Sequence, residues 1–254
     1  MTTIDLNADL GESFGPWKMG DDEAMLEIVS SANIACGFHA SDPAEMTRVV
    51  RLAKAAGVGI GAHPGFQDLQ GFGRRRIFGM SNSEIEALVI YQIGALQAIA
   101  ASEGATLQHV KAHGALNNMA CGSPKIAHAC INAARRCAPD LINLVLPNTA
   151  LENAATEIGV SMAREVFADR AYNDDGSLVA RGTEGAMIHD PDAAAANVLA
   201  MIEQQAITSI NGVKIPVAID TVCVHGDAPT AVAMARHLRR KLEDAGVTIT
   251  KLSA

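Results

Sequence analysis

Four histidines, His39, His63, His113 and His225, each close an apolar run beside a glycine or a proline. Imidazole in such a place can act as a general base, as a donor to a developing oxyanion, or as a metal ligand. Other chemically useful side chains fall at comparable places. Asn7, Asp9 and Glu12 belong to the first run, Lys111 stands two residues before His113, and Asp169-Arg170 closes a later run. Asp9, His39 and His63, on three consecutive runs, would make a cup for a divalent metal; a metal-free polar cluster is the competing reading.

The segment His109-Val110-Lys111-Ala112-His113 has the spacing of a helical metal pair. On a strand, however, residues four apart lie roughly 13 Å from each other and cannot share an ion. Gly114 follows and no 3.6-residue pattern continues, so the strand reading is preferred. It places His109 low and buried, with Lys111 and His113 on one face nearer the end.

The remaining candidates each carry a plainer alternative. Glu12 could orient a water or a cationic group, or be a solvated loop acid. Asp169 and Arg170 could supply charge to a pocket or form a structural bridge. Asp227 could orient His225 across Gly226, or serve only as a turn and helix cap. Gly71–Arg76 joins backbone N–H groups to guanidinium groups, Arg75 among them, which suits a carboxylate or phosphate; a loop latched to surface acids would look the same. Cys36 and Cys223 sit in apolar runs and read as core thiols. No GxxxxGK[ST], strand-linked GxGxxG, HExxH or GxSxG occurs.

These groups need strands to hold them. In Asp5–Glu12, Asp5, Asn7 and Asp9 point one way while Ile4, Leu6, Ala8 and Leu10 point the other. Further strands are expected at 33–39, 58–63, 108–113, 143–146, 163–170 and 220–225. Helices are expected after Asp21-Asp22, from Ser41-Asp42-Pro43 to Gly57, from Ser81 or Ser83 to near Gly104, and from Ser123-Pro124. Others should end at Gly159, start at Asp190-Pro191, and run from Pro229 to Gly246. Asn211-Gly212 should turn a small hairpin joining 208–210 to 213–217, and 247–250 should form a short last strand. Seven strand-then-helix units imply a parallel α/β sheet. An open doubly wound sheet exposes chiefly the strand ends at its switch point, whereas a barrel gathers all of them at one mouth. The expectation is one distorted (β/α)7 TIM-like barrel domain over residues 1–254.

Bulk properties agree. The chain has 254 residues, 49% of them hydrophobic and only 4% aromatic, so Ala, Val, Ile, Leu and Met must fill the core. A net charge of −8, from 20 basic and 28 acidic residues, argues against a nucleic-acid surface. Five scattered cysteines without a CxxC point to reduced thiols. No basic and apolar leader opens the sequence and no apolar run approaches membrane-spanning length, so a cytoplasmic protein is expected, with no membrane partner.

Seven stretches together resemble the LamB/YcsF family. They are DLNADLGE (Asp5–Glu12), NIACGFHASDP (Asn33–Pro43), IGAHP (Ile60–Pro64), GFGRR (Gly71–Arg75), HVKAHGAL (His109–Leu116), EVFADRAY (Glu165–Tyr172) and CVHGD (Cys223–Asp227). Ser41, Ala112 and Asn117 stand where that family usually has Gly, Pro and Tyr. The resemblance implies a barrel related to sugar and polysaccharide deacetylases. It also implies cleavage of 5-oxoproline to L-glutamate coupled to ATP hydrolysis, as the A subunit of a 5-oxoprolinase that includes subunits B and C. On that footing Asp9, Glu12 or His113 would position or deprotonate water, and Lys111 and His63 would stabilise an oxyanion. Arg75 or Arg170 would hold a carboxylate or phosphate, and Asn7, Asp169, His225 and Asp227 would line the substrate site. A metal-dependent deacetylase or amidohydrolase acting alone, and a non-catalytic substrate-binding component, are the competing functions.

Overall fold

The computed structural model describes residues 2–224 and 231–253. His225, Asp227 and the beginning of the helix expected at Pro229 lie outside the described residues.

Seven parallel strands close into a ring. They are β1 (Thr3–Leu10), β2 (Ser31–Ala35), β3 (Gly59–His63), β4 (His109–Val110), β5 (Ile142–Val145), β6 (Met162–Phe167) and β9 (Thr221–Val224). Closure occurs where β1 pairs β9, from Asp5↔Thr221 to Ala8↔Val224. A short final strand, β10 (Thr248–Ile249), pairs the start of β1 at Thr3 and Ile4. The helices are α1 (Asp22–Leu26), α2 (Pro43–Ala56), α3 (Asn82–Ser102), α4 (Gly114–Gly122), α5 (Pro124–Cys137), α6 (Ala150–Ile158), α7 (Pro191–Gln204) and α8 (Ala231–Asp244). The expected (β/α)7 barrel is what the chain forms.

Local chemistry sets the helix ends. Asp42 accepts from the N–H groups of Ala44 and Glu45, Pro43 sits in the first turn, and Gly57 closes α2 in the left-handed region. Ser81 and Glu84 form a reciprocal capping box on α3. By length and mean hydropathy (1.4) α3 could cross a membrane, contrary to the expectation that no run approaches that length. Its Ile85, Val89, Ile93 and Leu96 are instead buried in the apolar layer that runs from Ile4 to Val247.

Several boundaries differ from expectation. β2 stops at Ala35, so His39 lies four residues beyond the strand, not at its end. β4 keeps only His109 and Val110, although Lys111 and His113 still donate N–H to the carbonyls of Ala62 and Pro64. The segment after His113, to which the sequence pattern assigns no element, is α4, and Ser123 both ends it and caps α5. The hairpin pairs Ala206–Thr208 (β7) with Lys214–Pro216 (β8), so a loop over 209–213 replaces the expected two-residue turn. There Ser209 Oγ accepts from the N–H of Val213 (3.0 Å) and donates to Asp174 (2.5 Å), which stabilises the longer connection.

The barrel interior is polar. Three hydroxyls, of Ser30, Ser31 and Thr221, donate to Asp5 at 2.7, 2.6 and 2.5 Å. Burial still lifts its carboxyl above the usual range, against those three bonds. Above it, Asn33 donates to Asn7 (2.7 Å) and Asp9 (2.9 Å), and His109 Nε2 donates to Asn33 (2.8 Å). Burial pushes His109 down to about 3, so its ring is neutral. That ring fills the space beside Gly61, where a Cβ would lie 2.0 Å from Nε2. Gly61 is therefore set by the close approach of a ring from its partner on the adjacent strand β4.

Candidate functional site

The C-terminal ends of the strands bring together most of the residues singled out in the sequence. Lys111 is 4% exposed. Its Nζ lies 2.8 Å from Glu165 Oε1, 3.1 Å from Asp9 Oδ1, 3.1 Å from Cys223 Sγ and 3.4 Å from Asn7 Oδ1. Burial opposes its charge, yet Asp9, Cys223 and Glu165 hold its ammonium well above the usual lysine range. Burial likewise opposes ionisation of Asp9, but His63 and Lys111 hold that carboxyl well below its usual range. The pair is ionised and sits under the mouth.

Beside it, Glu12, His39, His63 and His113 place four ligand-type atoms within 4.8 Å of one another. The hydrogen bonds of two rings settle their tautomers. His63 Nδ1 faces the Lys111 carbonyl at 2.8 Å, and His113 Nε2 faces the Phe72 carbonyl at 2.8 Å. A carbonyl only accepts, so both of those nitrogens carry hydrogen. His63 Nε2 and His113 Nδ1 then approach to 3.0 Å, each with its lone pair toward the same space. Two lone pairs so placed call for a cation between them, a proton or a metal ion. A ligating imidazole usually donates its other N–H to a backbone carbonyl or carboxylate, as both do here. The His39 ring stacks on His113 with centroids 3.7 Å apart, and its Nε2 lies 3.6 Å from Glu12 Oε1. Neither nitrogen of His39 has a hydrogen-bond partner among the described residues. Burial holds His39 well below the usual histidine range and takes His113 down to about 3. Neutral imidazoles beside carboxylate are the donor set a divalent ion needs.

The donors differ in part from the expected cup. His39 and His63 belong to the group, but Asp9 is turned to Lys111, Asn33 and His63, 3.3 Å from His63 Nε2. Glu12 and His113 complete the set instead. Chain excursions beyond the strands make this possible. Gly37 and Ser41 both have positive φ, 89° and 72°, and the turn between them folds His39 back under the loop at Gly73. Ser41 is fully buried, its hydroxyl meets no partner among the described residues, and its backbone lies where glycine is favoured. Gly73 also has positive φ (62°), and a Cβ there would come within 2.7 Å of His39 and 2.8 Å of His113.

A cavity of about 760 Å³ opens above these groups, lined by Asp9, Glu12, His63, Lys111 and His113 among others. Its cationic lining comes from Arg74, Arg76, Arg170 and Arg181. Arg75, the residue expected there, is instead turned onto Asp68, pairing both carboxylate oxygens, and does not line the cavity. Its two neighbours, Arg74 and Arg76, line the cavity in its place. Asn7 lies below Lys111 in the lumen, and Asp169 is buried beside Arg170 without lining the cavity.

Sequence reasoning passed over Glu165. It lies 1% exposed and inward-facing, at a place where the alternation of Ala163, Glu165 and Phe167 on one side of β6 could have marked it. Arg74 and Arg76 fall within the Gly71–Arg76 segment singled out for its guanidinium groups, whereas Arg181 and Thr149 were missed. No local pattern separates them from solvated loop residues.

A closed parallel barrel with an acid, three imidazoles and a buried ammonium gathered at its strand ends is built as an enzyme-type (β/α) barrel, with its site at the C-terminal mouth. The LamB/YcsF family description matches residues 4–254, and the chain belongs to that family. It is 56% identical over 247 residues to a Nitrobacter hamburgensis protein named as the A subunit of 5-oxoprolinase, covering 97% of each chain. It superposes on the crystal structure of the lactam utilization protein from Thermus thermophilus with a TM-score of 0.94 at 44% identity, over 99% of this chain and 100% of that one. A likeness in fold alone extends to the catalytic domain of a peptidoglycan N-acetylglucosamine deacetylase from Eubacterium rectale. There the TM-score is 0.53 at 10% identity, over 100% of this chain and 89% of that one.

Proposed function

We propose that this chain is the A subunit of an ATP-dependent 5-oxoprolinase, opening the cyclic amide of 5-oxoproline to L-glutamate in the cytoplasm, with subunits B and C as partners. The observation that carries the proposal is the four-donor group beside the ionised Lys111–Asp9 pair on the cavity floor, in a chain more than half identical to a protein named for that role. A five-membered lactam is a stable amide with a poor leaving group. Phosphorylation of its carbonyl oxygen at the expense of ATP, carried out by the partner subunits, would activate the ring carbon.

In this barrel the water oxygen then bonds to that carbon, the ring C–N bond breaks with the nitrogen taking up a proton, and a second water releases phosphate from the resulting γ-glutamyl phosphate to leave L-glutamate. Glu12, Asp9 and the neutral His113 position and deprotonate the water. Lys111, held cationic, faces the oxygen on which negative charge develops, and His63 would join it only with a proton on Nε2. Glu12, His39, His63 and His113 would hold a divalent ion, which when bound polarises a carbonyl or water. Arg170, rather than Arg75, meets the anionic end of the ligand.

Reconstitution with candidate B and C partners tests the proposal. Glutamate should appear only with all three chains and ATP, and absence of glutamate from the complete mixture would refute it. The same donor group suits a metal-dependent amidohydrolase acting alone. Chelator-sensitive turnover by the isolated chain without ATP would favour that second reading.

A further inference from the structure

One side of the cavity stands apart from the histidine floor. Arg170 lies there, 6% exposed, yet its one hydrogen bond among the described residues runs from Nη2 to the Val179 carbonyl (2.6 Å). Its Nε is buried and meets no acceptor among those residues. A guanidinium carries five N–H donors in a planar fork, and a buried one left largely unbonded is costly. Burial, and after it Arg181, weaken its hold on its proton against the opposing carboxylate of Asp169, and an incoming anion would relieve that cost.

A second group of donors faces the same cavity. Thr149, Ala150 and Asn153, at the start of the nine-residue helix α6, line it. No side chain caps α6, because the Thr149 hydroxyl donates instead to the Leu146 carbonyl (2.7 Å). Glu152, in the first turn, accepts from the Asn148 N–H (2.7 Å) and sets a carboxylate near the positive end of the dipole, but the first N–H groups of the helix are left for a ligand. Asp175, which also lines the cavity, is the acid that bounds this side.

We infer that Arg170 and the N-terminus of α6 form a phosphoryl subsite, separate from the histidine floor, which takes the phosphate carried by the activated substrate. A single carboxylate, planar and with one charge, would leave part of this donor set unused. A phosphoryl group presents three oxygens and up to two charges, matching a guanidinium fork together with helix N–H groups. The inference rests on the 5-oxoprolinase reading for the identity of the ligand, but the subsite itself does not need it.

The test titrates the isolated full chain with inorganic phosphate, acetate and ATP by calorimetry. Phosphate should bind more tightly than acetate. Arg170→Gln should weaken phosphate binding about tenfold to a hundredfold, as loss of a charge-assisted hydrogen bond requires. Because Arg170 is buried, a second variant avoids the folding question. Ala150→Pro removes one N–H at the first helical position, where proline is tolerated, and Thr149 already has the extended backbone (ψ 167°) that proline demands of its predecessor. It should weaken phosphate binding several-fold with unchanged thermal unfolding, while Ala150→Val, which keeps the N–H, should not. ATP binding more tightly than phosphate, with the same dependence on Arg170, would assign the subsite to a nucleotide's terminal phosphate; equal or weaker binding would assign it to a lone phosphoryl group.

Equal binding of acetate and phosphate, or phosphate binding indifferent to both Arg170→Gln and Ala150→Pro, overturns the inference. Failure of the reconstituted enzyme to cleave 5-oxoproline, with these phosphate results intact, would overturn the functional reading and leave the subsite standing.

Discussion

Replacing Lys111 by Met removes the one ammonium that lies between two carboxylates, Asp9 and Glu165, under the barrel mouth. At 2.8 Å and 3.1 Å the gross attractions are about 6 and about 5 kcal/mol each at an effective dielectric near 20. Desolvation offsets much of this, so the net loss on breaking such a buried group is about 3–5 kcal/mol. The variant should therefore unfold at a clearly lower urea concentration at pH 7. Acid should narrow the deficit. In the wild type the Asp9 carboxyl is depressed, so its contribution is present above the unfolded-state value near 3.9 and fades as pH falls through its lower folded value. Lys111, raised when folded, contributes fully below about 10.4 and is lost only as pH rises through its higher folded value. Without Lys111 the two carboxylates repel, the folded value of Asp9 rises, and its protonation between pH 7 and about 4 should restore stability to the variant while the wild type gains none. Adding Glu165→Gln to Lys111→Met should recover part of the loss. A deficit below about 1 kcal/mol at pH 7, or one that stays constant down to pH 4, would refute the reasoning.

Three further outcomes follow from the geometry. The chain should bind one Co²⁺ or Zn²⁺, followed by Co²⁺ absorption, and His63→Ala or His113→Ala should weaken that binding at least tenfold; unaltered affinity in both would exclude the donor group as the site. Gly73→Ala, at positive φ and with a Cβ within 2.8 Å of His113, should lose metal affinity and about 1–3 kcal/mol of stability, read by calorimetry and urea unfolding. Ser41→Gly relieves a left-handed backbone and removes an unpartnered buried hydroxyl, partly offset by greater freedom when unfolded; a gain of about 1 kcal/mol, or roughly 2–4 °C in Tm, is expected in thermal unfolding.

Much of the barrel could be read from short-range pattern. The period-two alternation of Asp5, Asn7 and Asp9, the Asp42-Pro43 and Ser81 helix starts, and the glycine stops depend on local sterics and nearest-neighbour hydrogen bonds, which sequence displays directly. Repetition of strand and helix made a parallel sheet necessary, and the polar residues at successive strand ends favoured closing it. His109 as a low, buried group and Lys111 with His113 near the mouth followed from the same alternation. What alternation could not supply was anything set by contact between distant loops. His39 left the strand expected to carry it because two positive-φ turns fold it under Gly73. Arg75 left the cavity because Asp68 holds it. Asp9 chose Lys111 over the metal cup, and Glu165 entered the lumen from a strand more than fifty residues away. The sequence by itself thus determined the barrel and the inventory of acids, imidazoles and cations at its strand ends. Only the tertiary structure decided which of them meet, because charge pairing and lone-pair convergence act over a few ångströms in space and have no period along the chain.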